Sequence, residues 1–130
     1  MKKNIKMLRF RRFGKKAIIY CKKRIRVFKI KITAKGKNPK LYYFGVPEHP
    51  NMGDLGQYYC VSKWLKSNYA GYTIVECPSS IVLDKKSGFR NYFERAVTKD
   101  DLLVIHSGYN TNDLSEVSNQ LNLFLMRNYQ

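Results

Sequence analysis

Two short stretches of the chain concentrate the side chains that could recognise or activate a polar substrate. The first is Gly45-Val46-Pro47-Glu48-His49-Pro50-Asn51-Met52-Gly53-Asp54. Gly53 lets the backbone turn tightly or approach a ligand, and Asn51 or Asp54 can cap a helix that begins there. The free N–H groups of such a helix start suit a phosphate or carboxylate. Asp54 would repel an anion, so its fitting partners are the helix N-terminus or a sugar hydroxyl. His49, held between two prolines, reads equally as a surface loop residue. The second stretch is His106-Ser107-Gly108-Tyr109-Asn110. His106 is the group there suited to act as acid, base or anion contact near neutral pH, which makes it the candidate catalytic residue. The plain alternative is a histidine packed under the loop with one hydrogen bond. Gly108 gives close backbone access, Tyr109 and Asn110 offer stacking and hydrogen bonding to a sugar, and Ser107 completes the group.

The pattern around these stretches predicts the elements that position them. Leu41 to Val46 is a continuous apolar run, as in a strand buried on both faces. A helix is expected from Asp54 to about Asn68, with Leu55, Tyr58 or Tyr59, Ser62 and Leu65 on one side and Val61 and Trp64 adjoining. Tyr72 to Cys77 is a second strand, closed by Pro78, and Asp84 to Gly88 breaks the chain. Phe89, Tyr92, Phe93 and Ala96 mark a further helix, Leu102 to His106 a third strand, and Asp113 to Arg127 a last helix. The order β-α-β-α-β-α predicts a parallel sheet with helical crossovers, a Rossmann-like α/β unit over residues 41–130. In such sheets ligands bind beyond the carboxyl ends of the strands, where both stretches would then lie.

Charge divides the chain. Residues 1–40 hold seventeen Lys and Arg and no Asp or Glu, whereas residues 41–130 hold eight basic and nine acidic residues, within a net charge of +16. The first part is a basic arm and linker, and its charge calls for an anionic partner. Ile18, Cys21, Ile25, Phe28 and Ile32 fall at helical steps, with Lys22, Lys23, Arg26, Lys29 and Lys31 around them. Met7, Phe10, Phe13 and Ala17 continue a weaker stripe through an irregularity expected at Gly14. Such a basic amphipathic helix suits an anionic membrane surface, each cation adding about 1 kcal/mol near the lipid. Binding through residues 1–36 competes with two other readings, a nucleic-acid contact and a solvated tail. RNA-binding, zinc-finger and Arg-Gly patterns do not occur, which disfavours nucleic acid. Gly36, Asn38 and Pro39 end the arm.

Cys21, Cys60 and Cys77 are odd in number and form no C-x-x-C pair, which argues for reduced thiols and against structural zinc. Cys60 and Cys77 are most simply small core residues. The longest apolar run of the arm, Ala17 to Cys21, is too short for a signal sequence or a membrane span.

Two blocks carry a family resemblance. Tyr43-Phe44-Gly45-Val46-Pro47-Glu48-His49-Pro50-Asn51-Met52-Gly53-Asp54 resembles the opening motif of polysaccharide pyruvyltransferases, a hydrophobic strand running into G-x-P-x-H-x-N-x-G-D. Lys99-Asp100-Asp101-Leu102-Leu103-Val104-Ile105-His106-Ser107-Gly108-Tyr109 is similar to that family's second block, and the two stand in the family's order. The resemblance spans residues 41 to about 125 and leaves out the basic arm. It implies the first part of a two-domain fold of the glycosyltransferase-B kind. The implied reaction moves the pyruvyl group of phosphoenolpyruvate onto two hydroxyls of a cell-surface polysaccharide sugar. Phosphoenolpyruvate is the donor substrate, and no cofactor is implied. By the same resemblance, the basic residues that grip the donor lie in a second domain. The expectation is therefore a truncated chain, inactive alone and completed by a further domain or second polypeptide. It would act in the cytoplasm, peripheral to the inner face of the plasma membrane, on an acceptor of the lipid-linked kind. The alternatives are a stand-alone sugar- or nucleotide-binding α/β module and a basic nucleic-acid-binding protein.

Overall fold

The computed structural model of the chain describes residues 2–106 and 116–129, with backbone alone over 2–13 and 116–118. Its centre is a three-stranded sheet: β1 (Lys40–Phe44), β2 (Thr73–Cys77) and β3 (Leu102–Ile105). The strand order is β2-β1-β3, and β1 is parallel to both neighbours. The registers set Leu41 beside Ile74 and Leu102, and Phe44 beside Cys77 and Ile105. The expected parallel α/β unit with helical crossovers is thus the observed architecture.

A central parallel strand is covered on both faces, which explains why β1 reads Leu-Tyr-Tyr-Phe without a polar interruption. Alternation sends Tyr42 and Phe44 to one face and Leu41 and Tyr43 to the other. Helix α2 (Met52–Asn68) alone covers the second face, where Leu65, Tyr58 and Val61 pack on Leu41 and Tyr43. The expected apolar side of α2 holds at Ser62 and Leu65, which are buried, whereas Tyr59, Trp64 and Leu55 are exposed. The first face is covered by α3 (Ser79–Val82), α4 (Phe89–Ala96), α5 (Glu116–Asn128) and part of the N-terminal helix. Phe93 is the hub of that side, with its ring against those of Tyr42, Phe44, Phe89 and Tyr129.

The turn before α4 shows how the sequence stops one helix and starts the next. Asp84 accepts from the N–H of Lys86 at 2.9 Å and caps a single 3-10 turn, Lys85–Ser87. Ser87 then donates its hydroxyl to Ile81 O at 2.9 Å and accepts from the N–H of Phe89 at 3.1 Å. Gly88 between them takes φ 77°, a left-handed conformation that favours glycine, and a Cβ there would meet Arg24 Nη1 at 3.2 Å.

Helix α1 spans Lys2–Thr33 and runs through Gly14 without the expected irregularity. Its last turns belong to the α/β unit: Val27 and Ile30 are buried in the same cluster as Tyr42 and Phe44. Lys23 Nζ reaches Asp84 Oδ2 at 2.7 Å, and Arg26 pairs with Glu48. The five apolar residues read as its stripe, Ile18 to Ile32, are all exposed, because they lie opposite the packed side. The side chains of Met7, Phe10 and Phe13 lie outside the described residues. Beyond Thr33 the link is short, and Lys40 Nζ donates to Gly36 O at 2.8 Å and Asn38 O at 2.5 Å. Cys77 is a core residue as expected, and burial pushes its thiol pKa far up. Cys60 is not: it sits on the exposed side of α2.

Candidate functional site

The strand order makes a topological switch point. From β1 the chain passes through α2 to β2 on one side, then returns through α3 and α4 to β3 on the other. Helices α2 and α5, which follow β1 and β3 in the chain, lie on opposite faces of the sheet, and the carboxyl ends of these two strands are the position at which open α/β sheets leave a crevice. Gly45 marks the crossing. Its N–H donates to Cys77 O at 2.9 Å, while the N–H of His106 donates to Phe44 O at 2.8 Å. Gly45 takes φ 76°, and a Cβ there would lie 3.5 Å from both His106 Cβ and Leu121 Cδ2. The space would admit a Cβ in ordinary contact, so it is the left-handed φ that favours glycine here.

From Gly45 the loop runs through buried Val46 to exposed Glu48, His49 and Pro50. Glu48 is anchored twice, through the ion pair with Arg26 and by the N–H of Ser80, which donates to its Oε2 at 3.3 Å. Asn51 is the N-cap of α2, its Oδ1 accepting from the N–H of Gly53 at 3.0 Å. Asp54 falls in the first helical turn, where a carboxylate is favoured by the helix dipole. Asn51 and Gly53 are exposed and Asp54 is half-buried.

His106 is buried, at 5 % exposure, and its Nδ1 shares a hydrogen bond with the hydroxyl of Tyr43. Burial lowers the imidazole pKa below its ordinary value, against a smaller opposing effect of the Asp54 charge. The Tyr43 hydroxyl is pushed up to about 12, first by burial and then by Tyr58 and Glu76. Both partners of the pair are consequently neutral near pH 7. The parallel pairing of β1 and β3 puts Gly45 and His106, the residues that follow them, on one rim, although sixty-one positions separate them in sequence.

Beside this point, over the ends of β1 and β2, lies a cleft of about 510 Å³. Its walls include His49, Glu48 and Pro47 of the loop, Leu55 of α2, Pro78 after β2, and Arg26 and Lys29 of α1. Of the residues singled out by sequence, His49 lines the cleft, whereas Asn51, Gly53, Asp54 and His106 do not. Ser107, Gly108, Tyr109 and Asn110 lie outside the described residues. Sequence reasoning missed Tyr43 as the partner of His106, and Arg26 and Lys29 as cleft residues. The signal for Tyr43 was present, because it shares a strand face with the residue that follows β3. Nothing local in the arm marks Arg26 and Lys29, since their place depends on α1 packing back onto the sheet.

Among the described residues no group of three or more His, Cys, Asp or Glu side chains is set to hold a metal ion. No described helix is long and apolar enough to cross a membrane. The chain matches no protein-family model, no curated protein and no solved structure.

Proposed function

We propose that the chain is a polysaccharide pyruvyltransferase-like protein whose rim at the ends of β1 and β3 holds the sugar acceptor. One observation carries the reading. The loop that bears Asn51, Gly53 and Asp54 leaves β1 at the switch point, on the same rim at which His106 follows the neighbouring parallel strand β3. A carboxylate in a first helical turn, a capping asparagine amide and a loop histidine form a set suited to sugar hydroxyls, which both donate and accept.

In this reading Asp54 accepts from a sugar hydroxyl, and Asn51 and His49 supply further polar contacts. His106, buried and tied to Tyr43, positions the rim and does not itself exchange a proton with substrate. The overall reaction protonates the methylene carbon of phosphoenolpyruvate and joins two sugar oxygens to its C2. The C2–O bond to phosphate breaks, and the two hydroxyl protons end on the new methyl group and on the phosphate. The carboxylate and phosphate need cations, of which Lys29 and the Glu48-paired Arg26 stand nearest the loop. The wider fold proposed is the two-domain glycosyltransferase-B kind, working at the inner face of the plasma membrane.

Titration of the isotope-labelled chain with a panel of hexoses and N-acetylhexosamines, followed by amide NMR shifts, tests this. The amides of Gly53, Asp54 and His106 are expected to shift, with Asp101 at the opposite rim unmoved. No shift with any sugar, or shifts confined to the opposite rim, would sink the reading.

A further inference from the structure

Helix α1 carries apolar residues on two opposite sides. Val27 and Ile30 close one face of the sheet, at 3 % and 6 % exposure. Ile18, Cys21, Ile25, Phe28 and Ile32 recur at helical steps roughly 180° away from them, at 3.6 residues per turn. Ile18, Ile25, Phe28 and Ile32 keep 57, 55, 63 and 49 % of their surface in water. Lys22 and Lys29 border one edge of this second stripe; on the other edge stand Arg24, which also donates to Ser87 O at 3.4 Å, and Lys31, whose Nζ lies 5.2 Å from the centre of the Tyr92 ring.

We infer that this outer side of α1 docks the protein on an anionic lipid surface, with the stripe in the headgroup boundary and the bordering cations against the headgroups. The combination of features decides among possible occupants. A nucleic acid would neutralise the cations but leave Ile25 and Phe28 in water. A second copy of the helix would bury the stripe but set two cationic helices side by side, with no acidic residue in residues 1–40 of either to compensate. An anionic bilayer meets both needs at once, because its charge lies over an apolar layer. Lys29 both borders the stripe and lines the cleft, so docking brings the cleft mouth next to the headgroups. The inference rests on α1 alone and stands or falls apart from the transferase reading.

The experiment is co-sedimentation of the full chain with vesicles of phosphatidylcholine, with and without phosphatidylglycerol. Binding is expected to the mixed vesicles, much weaker binding to the neutral ones, and a loss of about tenfold or more when salt is raised. The double variant Ile25→Ser/Phe28→Ser changes only exposed positions and should keep the melting profile of the parent. Its vesicle affinity should fall on the order of tenfold or more, since the stripe no longer enters the boundary. Undiminished binding by the folded variant overturns the inference, as does equal binding to neutral vesicles. Salt-sensitive RNA retention without vesicle binding overturns it in favour of nucleic acid. Dimerisation that the double variant abolishes, again without vesicle binding, overturns it in favour of a second copy.

Discussion

At the scale of single residues, His106 gives the clearest pH signature. Its folded pKa lies below the ordinary histidine value of 6.5, because burial disfavours the imidazolium. Between those two values the unfolded chain binds a proton that the folded chain does not, so stability falls as pH drops through that window. Urea unfolding at stepped pH from about 7.5 downward is expected to show this decline. His106→Gln should flatten it, and an unchanged slope in that variant would assign the pH dependence to other groups. Asp84 titrates lower, its pKa held below 3.8 chiefly by Lys23, so its contribution is lost only in more acidic solution. Asp84 also separates two effects in one side chain. Asp84→Asn removes the half-exposed ion pair and keeps a capping oxygen, so it should cost about 0–1 kcal/mol. Asp84→Ala removes the cap as well and should cost about 1–2 kcal/mol by the same measurement. A larger effect of Asn than of Ala would reverse this ranking. At this scale the sequence allowed both a reactive His106 and one packed under the loop with one hydrogen bond; the structure has the packed one, and its partner Tyr43 was not legible.

At the scale of elements, the strands and α4 were legible because their patterns are local. A four-residue apolar run at Leu41–Phe44 has few other places to go than the middle of a covered parallel sheet. Phe89 and Phe93, four apart, share the buried side of α4. Phe93 is fully buried among four other rings, so Phe93→Ala is expected to cost about 3–5 kcal/mol in chemical denaturation. A cost below about 1 kcal/mol would place Phe93 outside the core. Helix α1 was legible as a helix, but not as part of the core. Val27 and Ile30 are two residues among many apolar ones, and only the sheet face they meet distinguishes them. Chains lacking residues 1–22 and 1–36 should therefore behave differently in thermal melts. Of the residues that the shorter deletion removes, 14–22 are exposed, and this chain should melt near the parent. The longer one removes two buried side chains, worth about 1.5–3 kcal/mol each, and should melt clearly lower. Identical melts would mean that α1 does not pack as described.

At the scale of the whole molecule, the parallel winding brings the start of the loop after β1 and His106 at the end of β3 to one rim, although local sequence presents them as unrelated. The β-α-β-α-β order implied a common rim, whereas the strand order β2-β1-β3 was not legible, because alternation and turn residues say nothing about which side a crossover takes. That order puts β1 in the middle and makes the space between β1 and β3 the switch point. The cleft wall supplied by Arg26 and Lys29 was equally hidden, since it needs the first helix to meet a loop more than twenty positions later. We propose that this rim, with Asp54 at its edge, holds a saccharide. The most direct test is calorimetric titration of the sugar that gives the largest amide shifts, into the parent chain and into Asp54→Asn. Saturable binding by the parent and about tenfold or greater weakening in the variant are expected, as for loss of a hydrogen bond to a charged acceptor, with a loss of stability of no more than about 1 kcal/mol from the helix dipole. Equal affinity in the two chains would contradict the proposal.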